Sequence, residues 1–174
     1  EANRLIQYDD VKLKLQNKYK YVLVDEYQDT NYIQEVIISS IVEKHKRICV
    51  VGDDDQSIYR FRGATVDNML NFQNKYKSTK IIHLNKNFRS TKTIVEATSK
   101  LITNNKFHLK KKLMTNNETG KKIIVLKSED DNHLANQTSK LIKLLLKKNI
   151  ISSFSDIAVL CRSVKVMLEI LLYQ

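Results

Sequence analysis

At 174 residues, with 42% apolar and 28% charged side chains, the chain is long enough for one ordinary domain or two small ones and too apolar for a disordered tail. Its net charge of +11 suggests a polyanionic partner, most simply nucleic acid, although a generic basic surface gives the same number. No apolar run approaches the ~20 residues of a membrane span, no secretory leader precedes the first helix, and two lone cysteines suggest neither a disulfide framework nor a metal centre, so the expected setting is a reducing cytoplasm.

In chain order, residues 1–18 mix apolar and charged side chains at helical spacing. Tyr21–Val24 reads as a short strand, and its all-apolar character suits a central strand covered on both faces. The acidic turn Asp25-Glu26-Tyr27-Gln28-Asp29-Thr30-Asn31 follows. Asn31 and Gln34 have capping-box spacing for a helix from Ile33 to Lys44, with Ile33, Val36, Ile37 and Ile41 on one apolar face. Arg47–Val51 is the next strand, and Cys49 on it looks buried. It leads into a second acidic turn, Gly52-Asp53-Asp54-Asp55-Gln56, and then Ser57-Ile58-Tyr59-Arg60-Phe61-Arg62-Gly63-Ala64.

Val66 to Tyr76 reads as a helix and Lys80–Leu84 as a third strand. Asn85-Lys86-Asn87-Phe88-Arg89-Ser90-Thr91 follows. Ser90 or Thr91 would cap a helix whose inner face is Ile94, Ala97, Thr98 and Leu101. Residues 104–122 form a polar connector that includes Lys110-Lys111-Lys112. Ile123–Leu126 is a strand. A helix from Asp130 or Asp131 turns Leu134, Thr138, Leu141, Ile142 and Leu145 inward. Asp156–Cys161 is a strand and Val164–Leu172 a last helix. This alternation predicts an α/β fold with mainly parallel sheets.

Charge divides the chain. Residues 1–85 carry 13 Lys and Arg against 12 Asp and Glu, whereas residues 86–174 carry 17 against 7. A boundary near Asn85 is therefore expected. In parallel sheets ligands bind beyond the carboxyl ends of the strands, so both acidic turns would open onto one crevice. Asp25-Glu26 after a strand suits a Mg²⁺–nucleotide site: Mg²⁺ takes one or two carboxylates and keeps several waters, and a second carboxylate can activate an attacking water. Two solvated acids capping the next helix would explain Asp-Glu alone, but a second acidic turn after the neighbouring strand favours the ligand. Gln56 could bond a terminal phosphate. Tyr59-Arg60-Phe61-Arg62 alternates rings and cations as a base-stacking, phosphate-binding segment does, although an ordinary amphipathic stretch has the same composition. Phe88-Arg89 could offer a second ring and charge, or simply a core Phe and a surface Arg.

Together these segments resemble the UvrD/Rep/PcrA helicases of superfamily one. Asp25–Asn31 resembles their motif II, Gly52–Ala64 their motif III and Leu84–Thr91 their motif IV, in the family's order and spacing. Asp156-Ile157-Ala158-Val159-Leu160-Cys161-Arg162 resembles the strand before the large insertion of the second motor domain. The resemblance implies two incomplete RecA-like parallel-sheet motor domains with helices on both faces. Residues 1–85 would be the later part of the first, and 86–174 the early part of the second. It implies ATP and Mg²⁺, and as partners single-stranded DNA and duplex junctions, with action at the nucleoid.

Residue by residue, it implies that Asp25 holds Mg²⁺ through water and Glu26 activates the hydrolytic water. Gln56 would touch the γ-phosphate. Tyr59, Phe61 and Arg62 would face single-stranded DNA, Phe88 would stack on adenine, and Arg89 would be the arginine finger. Phe61 stands where the family commonly has Trp, and Phe88 where Tyr is usual. Each keeps its stacking face and loses a polar handle.

The only glycines are Gly52, Gly63 and Gly120, so the sequence contains no G-x-x-x-x-G-K-S/T phosphate loop. The expectation is an internal piece of a 3′→5′ helicase that is inactive by itself and binds single strands weakly and salt-sensitively. The rival readings are the helicase subunit of a recombinational helicase–nuclease and a non-catalytic nucleic-acid-binding module derived from a helicase.

Overall fold

The computed structural model describes residues 1–105, 109 and 111–161. Lys110, Arg162 and the predicted helix Val164–Leu172 lie outside the described residues. The chain divides into two compact units, Glu1–Lys121 and Lys122–Gln174.

The first unit begins with α1 (Ala2–Leu5) and α2 (Asp9–Lys18) rather than one continuous helix. Tyr8 is extended and starts a fresh helix, whose first-turn carboxylates Asp9 and Asp10 suit the positive end of the helix dipole. Two parallel strands follow, β1 (Val22–Val24) and β2 (Ile48–Val50), with Val22 opposite Ile48 and Val24 opposite Val50. The crossover between them is α3 (Tyr32–Val42). Asn31 starts α3 with the expected capping box: its side chain accepts from the Gln34 N–H and its own N–H donates to the Gln34 side chain, each at 2.9 Å. Such a cap contributes about 1 kcal/mol. α2 is tied to α3 by the Gln16 amide, which donates to the Ser40 carbonyl at 2.8 Å, and by a Lys12–Glu43 ion pair.

The buried face of α3 differs from the expected one. Ile33 is exposed, and the buried positions are Glu35 and Val42. Glu35 goes inward because it is fully partnered there. It accepts from the Tyr27 hydroxyl at 2.5 Å, from Ser39 at 2.8 Å and from the Lys75 ammonium at 2.5 Å, which offsets its desolvation. Tyr27 itself is 0% exposed and meets Phe72 edge-on at 5.6 Å. Burial, then the Glu35 carboxylate, push its phenol well above the ordinary tyrosine range.

After β2, α4 (Asp67–Leu70) and α5 (Phe72–Lys75) replace the single predicted helix. α6 (Lys92–Ile102) starts where predicted, at Thr91, but without a side-chain cap bond. Its first N–H groups, on Lys92 and Thr93, instead donate to the carbonyls of Glu118 and Thr119 at 3.0 and 3.1 Å, so the connector satisfies the helix end. Val95 is the buried residue of α6, and the expected inward Ile94 and Leu101 are exposed.

In the second unit, α7 (Asp131–Lys147) is capped by Asp130, whose carboxylate accepts from the His133 N–H at 2.6 Å. Ala135, Ser139 and Ile142 are buried.

The sheet is smaller than expected. Among the described residues, Lys80–Leu84, Ile123–Leu126 and Asp156–Cys161 join no ladder; a 3₁₀ turn occupies Phe154–Asp156. A strand exists only where a neighbour accepts and donates its backbone hydrogen bonds, and apolar sequence does not provide one. Nor are both faces of β1 and β2 covered. Leu23 is 78% exposed, and Cys49, expected to be buried, is exposed as well. Among the described residues the chain is thus a mixed α/β fold around a small parallel sheet.

Candidate functional site

Both acidic turns leave the same ends of the paired strands. Parallel pairing continues one step past the ladder, where the Val51 N–H donates to the Val24 carbonyl at 2.8 Å and the Tyr27 N–H to the Val51 carbonyl at 3.0 Å. Glu26 occupies the gap in a left-handed conformation, φ 48° and ψ 45°. A non-glycine residue there costs on the order of 1 kcal/mol or more, and such strain clusters at functional sites.

Gln28 links the two turns. It is 1% exposed. Its amide nitrogen donates to Glu26 Oε2 at 2.7 Å, and its amide oxygen accepts from the Asp53 N–H at 3.1 Å. Gly52 makes this possible, since a Cβ at that position would lie 2.6 Å from Gln28 Oε1 and 3.2 Å from the Tyr27 nitrogen. The neighbouring Ser57 hydroxyl donates to the Gln28 carbonyl at 3.3 Å. Nothing in the sequence singles out Gln28: its partner is 25 residues away, and a buried amide has no local signature.

Asp25 and Glu26 are exposed. Asp25 Oδ1 accepts only the neighbouring Glu26 N–H, at 2.9 Å, and neither carboxylate has an ion pair among the described residues. Two solvent-facing carboxylates at the end of a strand fit a water-coordinated Mg²⁺, which keeps several waters and takes few protein ligands.

The second turn is built differently. Asp53, Asp54 and Asp55 bring carboxylate oxygens within 4.8 Å of one another, but Lys111 already sits among them. Its ammonium lies 2.7 Å from Asp54 Oδ1 and 2.9 Å from Asp55 Oδ2, and it also pairs with Asp53 Oδ1. Although burial pushes the Asp53 carboxyl up, the Lys111 ammonium and the Gln56 amide outweigh it and hold Asp53 below the usual carboxylate range. Burial likewise works against the Lys111 charge, and the three carboxylates still raise its proton affinity. The Gln56 amide nitrogen donates to Asp53 Oδ2 at 2.8 Å.

Past Gln56 the chain turns back. Gly63, at φ 82°, ends the 3₁₀ turn Arg60–Arg62 in a conformation that suits glycine. Ala64 bridges to Asn31, and the Thr65 N–H donates to the Thr30 carbonyl at 3.1 Å. Tyr59 and Phe61 stand 6.0 Å apart, and the Arg62 guanidinium lies over both rings, at 5.0 and 5.4 Å. Phe61 is 78% exposed. Two rings and a cation presented together form a platform on which bases can stack.

Phe88 and Arg89 lie on a separate turn whose backbone is firmly held. Asn87 Oδ1 accepts from the Arg89 and Ser90 N–H groups at 2.9 and 2.7 Å. The Asn117 amide donates to the Phe88 and Ser90 carbonyls at 3.1 and 3.0 Å. A parallel bridge between Lys86 and Met114 braces the base of the turn. Both side chains face solvent along an open depression lined by Asn87, Phe88 and Arg89. Phe88 is 75% exposed under the Lys86 ammonium, 5.0 Å from its ring centre. Among the described residues no hydrogen bond or ion pair joins Phe88 or Arg89 to the acidic turns.

The structure therefore collects Glu26, Gln56 and the unforeseen Gln28 and Lys111 into one bonded network, with Asp25 at its edge. It groups Tyr59, Phe61 and Arg62 into a second cluster and holds Phe88 and Arg89 on a third element.

Two family models match successive parts of the sequence: the UvrD/REP helicase N-terminal domain over residues 2–77 and the UvrD-like helicase C-terminal domain over residues 82–171. A probable DNA helicase II homolog of Mycoplasma capricolum is 40% identical over 156 residues, covering 90% of this chain and 21% of the relative. A probable DNA helicase II homolog of Rickettsia conorii is 40% identical over 158 residues, 91% of this chain and 24% of the relative. The ATP-dependent DNA helicase PcrA of Staphylococcus aureus is 46% identical over 108 residues, 62% of this chain and 15% of the relative. The chain thus spans less than a quarter of the length of these curated relatives, and by its matched domains it belongs to the UvrD-like helicase family.

Proposed function

We propose that this chain is the middle of an ATP-dependent DNA helicase that moves 3′→5′ on single-stranded DNA and opens duplex junctions. It would supply the later part of one RecA-like motor domain, residues 1–85, and the early part of a second, residues 86–174. The gap between the two matched family models, between residues 77 and 82, supports a boundary in this region. A DNA substrate of this kind puts the protein's work in the cytoplasm, at the nucleoid.

The observation that carries the reading is the Gln28 bridge, which holds Glu26 and the Asp53–Gln56 turn at one end of the β1–β2 pair. Bound Mg²⁺ supplies charge neutralisation at the phosphates. Asp25 would hold the ion through water. Glu26, fixed by Gln28, accepts the proton of the attacking water. Gln56 contacts the terminal phosphate, and Arg89 stabilises the charge that develops on it. Phe88 stacks on the adenine ring. The Tyr59–Phe61–Arg62 platform holds bases, so phosphate chemistry and DNA contact lie on one continuous segment, Asp53–Arg62. In the relatives' length there is ample chain for the phosphate loop that this sequence lacks.

The test is steady-state ATP turnover with single-stranded DNA, in the full-length protein that carries this segment. Glu26→Gln is expected to lower kcat by roughly 10³-fold or more, and near-normal turnover in that variant would refute the reading. The 174-residue chain by itself is expected to show no turnover, and Glu26-dependent hydrolysis by it would contradict the need for a missing phosphate loop.

A further inference from the structure

The ammonium of Lys111 lies between three carboxylates that a simple hydrolytic site does not require. Three acids within 4.8 Å of one another repel unless a cation is set among them. Among the described residues Lys111 is such a cation, reaching all three from the connector that follows α6. A second tether from the same connector reinforces it: the Leu109 N–H donates to Asp54 Oδ2 at 2.6 Å, and Asp54 is buried.

The consequence lies one bond further on. Asp53 is committed on every side. One carboxylate oxygen takes Lys111 and the Asp55 N–H, the latter at 3.1 Å; the other takes the Gln56 amide at 2.8 Å; and its backbone N–H is held by Gln28. With one amide hydrogen of Gln56 fixed on Asp53, its second hydrogen and its carbonyl oxygen remain for a terminal phosphate and for the attacking water.

We propose that Lys111 is a positioning residue for Gln56: its ammonium fixes the Asp53 carboxylate, and that carboxylate fixes the Gln56 amide. The role assigned to Gln56 rests on the helicase reading above, whereas the Lys111–Asp53–Gln56 relay does not. Removing the ammonium leaves three crowded acids, which separate and take the Gln56 amide with them. Arginine is longer but keeps the charge and several donors.

Two measurements test this. In the 174-residue chain, the side-chain amide resonances of Gln56, assigned by their loss in Gln56→Ala, are expected to shift in Lys111→Met and to stay near their wild-type positions in Lys111→Arg. Unmoved resonances in a Lys111→Met chain that keeps its folded spectrum would overturn the relay.

In the full-length protein, Lys111→Met is expected to lower kcat for ATP by roughly ten- to a hundredfold, the scale of a misplaced catalytic group. KM should change by less than about twofold, and Lys111→Arg should recover most of the rate. Wild-type kcat in Lys111→Met, alongside loss of turnover in Glu26→Gln, would overturn the positioning role. Turnover that survives Glu26→Gln would instead refute the helicase reading and leave the resonance measurement to decide the relay.

Discussion

The acidic turns and the Asn87–Arg89 turn are built on opposite plans. In the first, side chains are committed: Gln28 and Asp54 are buried, and Asp53, Gln56 and Glu26 are each held by a named partner. In the second, the backbone is clamped by Asn87 and Asn117 while Phe88 and Arg89 project into solvent. On the proposed reading, the difference shows how the work of a nucleotide motor would be divided. Groups that act on water and phosphate benefit from preorganisation. A ring and a guanidinium with the proposed stacking and finger roles would benefit from a rigid base and a free tip.

If that contrast is right, mutations on the two sides fail in different ways. The largest effect belongs to the free tip. In the full-length protein, Arg89→Ala is expected to cut ATP turnover by about 10³-fold or more, the scale of an arginine finger. Its Tm should move by less than about 1 °C, since the guanidinium contributes no bond among the described residues. Differential scanning calorimetry beside turnover checks this, and a large loss of stability would break the contrast.

Gln28→Ala comes next and should do the reverse of Arg89→Ala on stability. It leaves the half-buried Asp53 N–H without its acceptor and removes a buried amide, at a cost of about 2 kcal/mol. Chemical denaturation of the 174-residue chain measures it. Phe61→Ala should weaken single-strand binding by about 1–3 kcal/mol and leave stability unchanged, as read by oligonucleotide titration across a salt series. Asn31→Ala should cost about 1 kcal/mol through the lost capping box, with no effect on DNA affinity.

The smallest effect is the pH response of the Lys111 cluster. Asp53 has a lowered folded pKa, so its contribution is present above the unfolded carboxylate value of ~3.9 and is lost as pH falls through the lower folded value. Lys111 has a raised folded pKa, so its contribution is present below the unfolded lysine value of ~10.4 and is lost only as pH rises through the higher folded value. With Asp54 and Asp55 facing the same ammonium, the stability difference between wild type and Lys111→Met should therefore be flat between those limits. A difference that varies across neutral pH would contradict this arrangement.

How much of this was legible in the sequence follows from range. The Asn31–Gln34 capping box, the β1–α3–β2 order and the Asp130 cap are local patterns, and they appear as expected. The bonds that join the separate parts of the site are long-range. Gln28 finds Asp53 across 25 residues and Lys111 finds it across 58, and no periodicity announces either. Lys80–Leu84 and Ile123–Leu126 depart from the expected strands for a related reason: apolar character is a property of the segment, whereas a ladder is a property of its neighbour. Glu35 shows the converse. A charged residue on an apolar helix reads as solvent-facing until Tyr27, Ser39 and Lys75 converge on it.

The central claim is that Glu26 and Arg89 act on the same phosphate. A double-mutant cycle on single-turnover ATP hydrolysis in the full-length protein with saturating single-stranded DNA addresses it most directly. Glu26→Gln and Arg89→Ala should each abolish most of the rate, and the double variant should be little worse than either. Free energies that simply add, or an Arg89→Ala variant that keeps the wild-type rate, would contradict the account.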